Sequence, residues 1–207
     1  MEMQSIWSLY TLLAALFILA VAFYAYERRG IPAREAALIA TLAALAGLSR
    51  VPFAGLPAIQ PTTFMVIVTG RVFGPGAGFM VGAMAPLVSN MFLGHGPWTP
   101  WQMLAWGVAG LSGGLFKYIF VRYRRWPMVV LALVWGFLFG WFMNTWHWLT
   151  FVHPLTLSSF LAVQATSFWF DAVHGLTSAA FMYLAGRELV NILYRFNRRL
   201  SYSTFDS

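Results

Sequence analysis

The chain of 207 residues has no cysteine and only six acidic residues, and charged residues make up 9% of it. Without cysteine there are no disulfide bonds, thiolate metal sites or cysteine nucleophiles. The P-loop and HExxH patterns are also missing, so the corresponding NTPase and zinc-protease signatures are absent. Soluble domains usually carry about 25% charged residues. The low charge therefore predicts a membrane protein, with no soluble basic face for nucleic acid.

Hydrophobic residues make up 60% of the chain, and apolar runs of helical length recur along it. Because about 20 residues cross the hydrocarbon core as a helix, the length allows six or seven spans and no sizeable soluble domain. The predicted spans are residues 7–26, 36–48, 62–73, 78–93, 102–120, 129–149 and 160–184. The sequence thus predicts an all-α integral membrane protein.

The basic residues indicate an orientation. If the loop with Arg28 and Arg29 is cytoplasmic, twelve of the thirteen Lys and Arg residues fall on that side, and only Arg50 falls on the other. Loops on the cytoplasmic side of membrane proteins carry an excess of Lys and Arg. The pattern predicts an external N-terminus and a cytoplasmic C-terminus.

Small residues recur at every fourth position in two places: Gly70, Gly74, Gly78 and Gly82, and Ala36, Ala40 and Ala44. Small residues at this spacing let membrane helices approach closely. For the glycines we expect packing within the molecule. The alanine stripe can face either another helix of this chain or another subunit.

Polar residues inside the spans are few, and buried polar groups in a membrane are functional candidates by default. Asp171 and His174 share one helix face, and either a structural hydrogen bond or a substrate contact explains them. Asn90, Asn144, His147 and Gln164 lie toward the external side, a pattern typical of a pocket that opens outward. The four histidines are not at metal-ligand spacing, and we expect no metal or cofactor.

Tryptophans are also distributed unevenly. Trp7, Trp126 and Trp135 suit the aromatic belts at membrane interfaces. The stretch GHGPWTPWQMLAWG instead places Trp98, Trp101 and Trp106 beside two prolines, which restrict the backbone. We call residues 94–101 the tryptophan loop and expect it to be a rigid aromatic wall or lid over a flat ligand.

Two segments resemble the substrate-specific membrane subunit of energy-coupling factor (ECF) transporters. The first, residues 50–115, reads RVPFAGLPAIQPTTFMVIVTGRVFGPGAGFMVGAMAPLVSNMFLGHGPWTPWQMLAWGVAGLSGGL, and the second, residues 170–181, reads FDAVHGLTSAAF. The similarity covers about residues 36–189, and GPWTPWQM is typical of one branch. The chain departs from the family pattern in having span 7–26 before the six-helix core.

The resemblance implies an architecture and partners. Residues 1–30 would be an extra transmembrane helix and basic loop, residues 31–195 the six-helix substrate-binding domain, and residues 196–207 a cytoplasmic tail. Ala36, Ala40 and Ala44 would contact a transmembrane coupling subunit that works with two ATPase subunits in a prokaryotic plasma membrane. Residues 51–60 and 94–101 would cap the site, and the whole subunit would topple during transport.

The resemblance also implies a function: capture of a vitamin or similar micronutrient from outside, with a cobalamin-type corrinoid as the best guess and riboflavin-like or thiamine-like compounds open. The candidate substrate-binding residues are Arg50, Asn90, Trp98, Trp101, Gln102, Trp106, Asn144, His147, Asp171 and His174. The alternative is an intramembrane enzyme or assembly factor that uses Asp171 and His174.

Overall fold

A computed structural model describes residues 2–202 of the chain, and the side chains of residues 6–198. The described residues form seven α-helices: α1 (Glu2–Glu27), α2 (Ala33–Leu48), α3 (Thr62–Phe73), α4 (Pro75–Leu93), α5 (Thr99–Ile119), α6 (Arg125–Phe151) and α7 (Leu157–Tyr202). A short 3₁₀ turn, Val51–Phe53, follows α2. The all-α prediction is therefore confirmed.

Four helical segments in the described part of the chain are long and apolar enough to cross a membrane: α1, α2 together with the 3₁₀ turn that follows it, α4 and α6. Helix α3 has only 12 residues, which corresponds to about 18 Å, less than the hydrocarbon core of about 30 Å. Almost all of its side chains are buried against the rest of the bundle. Neighbouring helices, and not lipid, therefore surround α3.

One residue joins α3 to α4. Gly74 ends α3 and precedes α4 with a φ of 98°, a conformation that side chains with a Cβ rarely adopt. Pro75 then occupies the first position of α4, where its missing N–H leaves no hydrogen bond unmade. The chain reverses direction here without a loop, so α3 and α4 are held side by side.

Glycines set the closest approaches among α3, α4 and α5. A Cβ added at Gly70 or Gly78 would meet the backbone carbonyl of Gly110, and one added at Gly82 would meet the carbonyl of Trp106. We call Gly70, Gly78, Gly82 and Gly110 the glycine seam. Backbone contacts with backbone here because no side chain intervenes, the packing that small residues favour in membranes. Of the predicted glycine series, Gly70, Gly78 and Gly82 pack within the molecule, which confirms the prediction for them. Gly74 instead forms the turn between α3 and α4.

Helices α6 and α7 form an antiparallel pair that meets at Gly136 and Gly175. Helix α7 has 46 residues, about 69 Å, and it continues to Tyr202 through the beginning of the predicted tail. Hydropathy missed this extension because its last turns are polar and basic. Trp135 corrects one further prediction: it is buried and donates from Nε1 to Ser112 Oγ at 2.7 Å, so it is not an interfacial residue.

The extra helix α1 packs against α5 and α6 and touches α4. It reaches the beginning of α2 only at one end, where the Tyr26 hydroxyl donates to Glu35 at 2.6 Å. Ala36 and Ala40 on α2 are exposed, and Ala44 is half-buried. Helix α1 therefore leaves the alanine stripe open on the surface of the bundle.

Candidate functional site

The polar residues predicted from the sequence meet at one end of the bundle, below the tryptophan loop. Arg50 follows the last turn of α2 and is 91% buried, with 9% of its surface exposed. Its Nη1 donates to Ser89 Oγ at 2.8 Å and lies 3.5 Å from Asn90 Oδ1. The guanidinium carbon lies 4.7 Å from the centre of the Trp106 ring, a cation–π geometry.

Asn90 joins α4 to the first turn of α5. Its Nδ2 donates to Thr99 Oγ1 at 3.1 Å and to Gln102 Oε1 at 2.8 Å. Thr99 Oγ1 also accepts from the backbone N–H of Gly96, which ties the tryptophan loop to the same group. These hydrogen bonds fix how the loop enters α5.

Trp106 is the largest fully buried side chain and connects α5 to α3 and α6. Its Nε1 donates to Thr63 Oγ1 at 2.9 Å, and the same hydroxyl lies 2.8 Å from His174 Nε2. The Phe139 ring stacks on Trp106 at 4.3 Å between centroids and contacts His174 edge-on. We call Arg50, Thr63, Ser89, Asn90, Thr99, Gln102, Trp106 and His174 the polar network.

Asp171 lies one turn from His174 but belongs to a second group. Its Oδ2 accepts from Asn144 Nδ2 at 3.1 Å, and Asn144 also donates to Gln164 Oε1 at 3.0 Å. Gly140 on α6 makes room for the carboxyl, because a Cβ there would overlap it. Asp171 and His174 thus both bond to neighbouring helices, and their contact with substrate stays a prediction.

The tryptophans of the loop have different positions. Trp98 folds over Gly96 and contacts Trp146 edge-on, with ring centroids 6.0 Å apart. Helix α5 begins at Thr99, earlier than predicted, because Pro100 suits a first helical turn. Trp101 therefore lies in the helix and not in the loop. The predicted site residue His147 is exposed against Phe151 and lies outside both hydrogen-bonded groups.

Comparison with known proteins identifies the family. The family model described as "ECF transporter, substrate-specific component" matches residues 34–191, more than half of the chain. The chain belongs to this family. Its six-helix core, α2 to α7, accounts for the match, and α1 precedes it. Because this family consists of transport subunits, the enzyme alternative for Asp171 and His174 is excluded.

The names of the curated relatives do not identify a substrate. The chain is 34% identical over 92 residues to a UPF0397 protein of Aliivibrio fischeri strain MJ11, a match that covers 42% of this chain and 50% of that protein. It is 35% identical over 89 residues to a UPF0397 protein of Vibrio atlanticus, covering 41% and 48% respectively. The chain thus spans about half the length of these curated relatives. No solved structure matches it.

Within this substrate-specific component, several buried polar atoms near the tryptophan loop have no hydrogen-bond partner among the described side chains. Three are donors, Arg50 Nε, Trp101 Nε1 and Gln164 Nε2, and one is the acceptor Gln60 Oε1. A buried polar group without a partner costs about 1–3 kcal/mol. Such groups indicate a ligand or water that completes them, and three donors favour a ligand with exposed acceptor atoms.

Sequence reasoning missed three hydroxyl groups of the polar network, Thr63, Ser89 and Thr99. Each lies at the end of a helix close to the tryptophan loop and is buried. Thr63 is central because it joins Trp106 to His174. Its sequence signal was the pair of threonines that follows Pro61, directly before the apolar run of α3. Short hydroxyl side chains in membrane helices commonly bond across helices.

Proposed function

We propose that this component captures a small micronutrient at the end of the bundle that carries the tryptophan loop, and that this end faces outward. The observation that carries the proposal is Arg50, a buried guanidinium set among amides and hydroxyls, whose Nε has no partner in the described part of the chain. A buried charge without a matching carboxylate is unfavourable unless a ligand supplies acceptors. The positive-inside pattern supports the outward assignment, because twelve of the thirteen Lys and Arg residues are predicted on the cytoplasmic side and only Arg50 on the side of the tryptophan loop.

The chemistry of the site favours a large, partly flat and mostly neutral substrate. Trp98 and Trp101 are partly exposed and offer aromatic surface, and the unpaired donors require carbonyl, carboxylate or ring-nitrogen acceptors. One guanidinium and one carboxyl group nearby leave little net charge, so a multiply anionic compound is disfavoured. A cobalamin-type corrinoid, with a flat ring and many carboxamides, is our first choice. Riboflavin-like and thiamine-like heterocycles are the next compounds to test.

A substrate of corrinoid size requires the capping segments to move. Trp106 is fully buried, with Arg50 and Phe139 against its ring, and Phe53 of residues 51–60 packs edge-on against Phe181 of α7. Binding would therefore separate these segments and expose the polar network. Both capping segments connect helices, and loops between helices are the usual place for movements that admit a ligand.

Delivery across the membrane would need partners. We propose that the open alanine stripe contacts a transmembrane coupling subunit driven by two ATPases. Ala36 and Ala40 are exposed, and α1 packs on the other side of the bundle. A flat stripe of small residues lets a partner helix approach closely in lipid. The extra helix is thus compatible with docking.

The deciding experiment is native mass spectrometry of the full-length protein purified in detergent, first for a co-purified molecule and then with a vitamin panel that includes cobalamin. We expect one tightly held compound at one per chain, unchanged after incubation. Absence of any retained or added ligand would overturn the capture function. Binding of a different vitamin would overturn only the corrinoid assignment.

A matched pair of variants tests the location of the site. Trp98→Ala with Trp101→Ala should abolish high-affinity binding and leave the protein folded, because it removes the aromatic wall and one unpaired donor. The control is Trp126→Ala with Trp169→Ala, two exposed tryptophans elsewhere on the bundle. Binding that survives the first pair, or is lost equally in both, contradicts the proposed location.

A further inference from the structure

The opposite end of the bundle contains a second buried guanidinium that is only partly hydrogen-bonded by the described residues. Arg71, near the end of α3, is 2% exposed, and only its Nη2 is bonded, to the backbone oxygen of Val121 at 3.1 Å. Its Nε and Nη1 have no hydrogen-bond partner among residues 6–198, whose side chains the structure describes. The Tyr194 hydroxyl donates to the backbone oxygen of Arg71, which holds α7 against this part of α3.

Arg71 lines a cavity of about 570 Å³ that is rich in donors. Tyr123, Asn191, Arg195 and Arg198 line the same cavity, and Glu188 is its one acidic residue among the described side chains. A smaller adjoining cavity of about 290 Å³ shares Tyr123 and Asn191 and adds Arg125 and Arg187. Five arginines and one glutamate therefore surround the two connected spaces.

Tyr123 adds a third buried donor without a partner. Its hydroxyl has no hydrogen bond to a described group. Burial raises the pKa of the Tyr123 phenol above its usual value, although the charges of Arg125, Arg187 and Arg71 oppose the shift. The group therefore stays an O–H donor at neutral pH. Donors from α3, the α5–α6 connection and α7 thus converge on one cavity that offers few acceptors.

Exposed aromatic residues near this end of the bundle are typical of a membrane interface. These residues, Tyr118, Trp126 and Tyr183, form the kind of belt that marks lipid headgroups. Trp126 contacts Tyr183 with ring centroids 5.6 Å apart, and the Arg125 guanidinium lies 5.0 Å from the same Tyr183 ring. Arg side chains suit phosphate because their planar donors match its oxygens.

We propose that Arg71, Tyr123, Asn191, Arg195 and Arg198 form a binding site for a phosphate group, supplied by an anionic lipid headgroup or by free phosphate. A bound phosphate would neutralise Arg71, and it would accept hydrogen bonds from Tyr123 Oη and from Arg71 Nε and Nη1, which have no partner among the described residues. It would also connect α3, α7 and the α5–α6 connection. This site is distinct from the proposed substrate site and does not depend on it.

The test uses the full-length protein in detergent and two sources of phosphate. Native mass spectrometry measures the affinity for phosphatidylglycerol against phosphatidylcholine. Thermal unfolding, with phosphatidylcholine present, compares inorganic phosphate with chloride at equal ionic strength. Selective lipid binding assigns the headgroup as the source, and stabilisation by inorganic phosphate assigns the free anion. If neither anion is preferred, the proposal is wrong.

Substitutions of the cavity residues test whether the anion binds in this cavity. Arg195→Gln with Arg198→Gln should weaken the preferred anion about tenfold, and Tyr123→Phe should weaken it by a smaller factor. Arg71→Gln should also weaken binding of the preferred anion. If this variant does not fold, the other two variants test the site without it. The control is Arg28→Gln with Arg29→Gln, which removes two charges of the first basic loop. An equal loss in that control would show general surface attraction and overturn the site.

Discussion

Replacing Thr63 with valine tests whether the polar network holds the bundle together. Valine has nearly the same shape as threonine, so the change leaves no cavity and removes only the hydroxyl. That hydroxyl accepts from Trp106 Nε1 at 2.9 Å and lies 2.8 Å from His174 Nε2. In the His174 tautomer protonated at Nδ1, it donates to Nε2. The variant thus deprives two buried groups of their partner.

The magnitude follows from the two hydrogen bonds. Bonds between membrane helices contribute about 0.6 kcal/mol on average and about 1.7 kcal/mol at most. Two such bonds give an expected destabilisation of about 1–3 kcal/mol for Thr63→Val. Because Trp106 also supports Arg50, we expect weaker substrate binding in the same variant.

Thr69→Val is the matched control. Thr69 is on the same helix and is also buried, but its hydroxyl bonds only to the Met65 carbonyl one turn earlier. The Met65 carbonyl still accepts the backbone N–H of residue 69 in the helix. The free energy of unfolding should therefore fall by about 0.5 kcal/mol or less. Unfolding by sodium dodecyl sulfate in mixed micelles, followed by circular dichroism, compares the two variants. Equal midpoints for Thr63→Val and Thr69→Val would refute the reasoning.

Three further substitutions test the packing and the docking surface. Gly82→Ala places a Cβ against the carbonyl of Trp106, and we expect a loss of about 1–3 kcal/mol in the same unfolding assay. Gly140→Ala pushes the Asp171 carboxyl from its position, so it should weaken substrate binding if that carboxyl contacts substrate. Ala40→Trp should block assembly with the coupling subunit in a pull-down while substrate binding in detergent stays unchanged.

Gly82→Ala and Ala40→Trp each have a matched control. Gly55→Ala adds a methyl group where no atom lies within 4 Å, so stability should not change. If Gly82→Ala is as stable as Gly55→Ala, the glycine seam is not close-packed. Leu45→Trp enlarges an exposed residue on a different face of α2 and should leave assembly intact. If it blocks assembly as well as Ala40→Trp does, the alanine stripe is not the docking surface.

The apolar helices could be predicted from the sequence because their signal is local. Runs of apolar residues located α1, α2, α4 and α6, and the spacing of small residues anticipated the glycine seam. The length of α7 could not be predicted from hydropathy, since tertiary contacts such as that of Tyr194 with Arg71 hold its polar turns. Trp135 was misassigned for a similar reason: only the fold shows that Ser112 lies beside it.

Many polar residues of the candidate site could be named from the sequence, but their hydrogen-bond partners could not. Asp171 and His174 share a helix face, yet their hydrogen-bond partners come from different helices. Arg50 and Trp106 are far apart in the chain, and nothing local indicates that the guanidinium lies over that ring. Thr63 was overlooked because a hydroxyl in an apolar run has no distinctive signal until its neighbours are known. Such pairings depend on tertiary structure alone.

The glycine contacts also determine which parts of the molecule can move. Helices α2 to α5 meet through backbone at Gly47 and along the glycine seam, and α6 meets α7 in the same way at Gly136. Where backbone touches backbone, no side chain can change rotamer to let the helices slide. The two groups contact each other instead through side chains, including the stack of Trp106 on Phe139 and the bond of Thr63 to His174. The described bundle therefore consists of two close-packed groups of helices that meet through side chains, so we expect relative movement at the contacts of Thr63 with His174 and of Trp106 with Phe139 before any movement within either group.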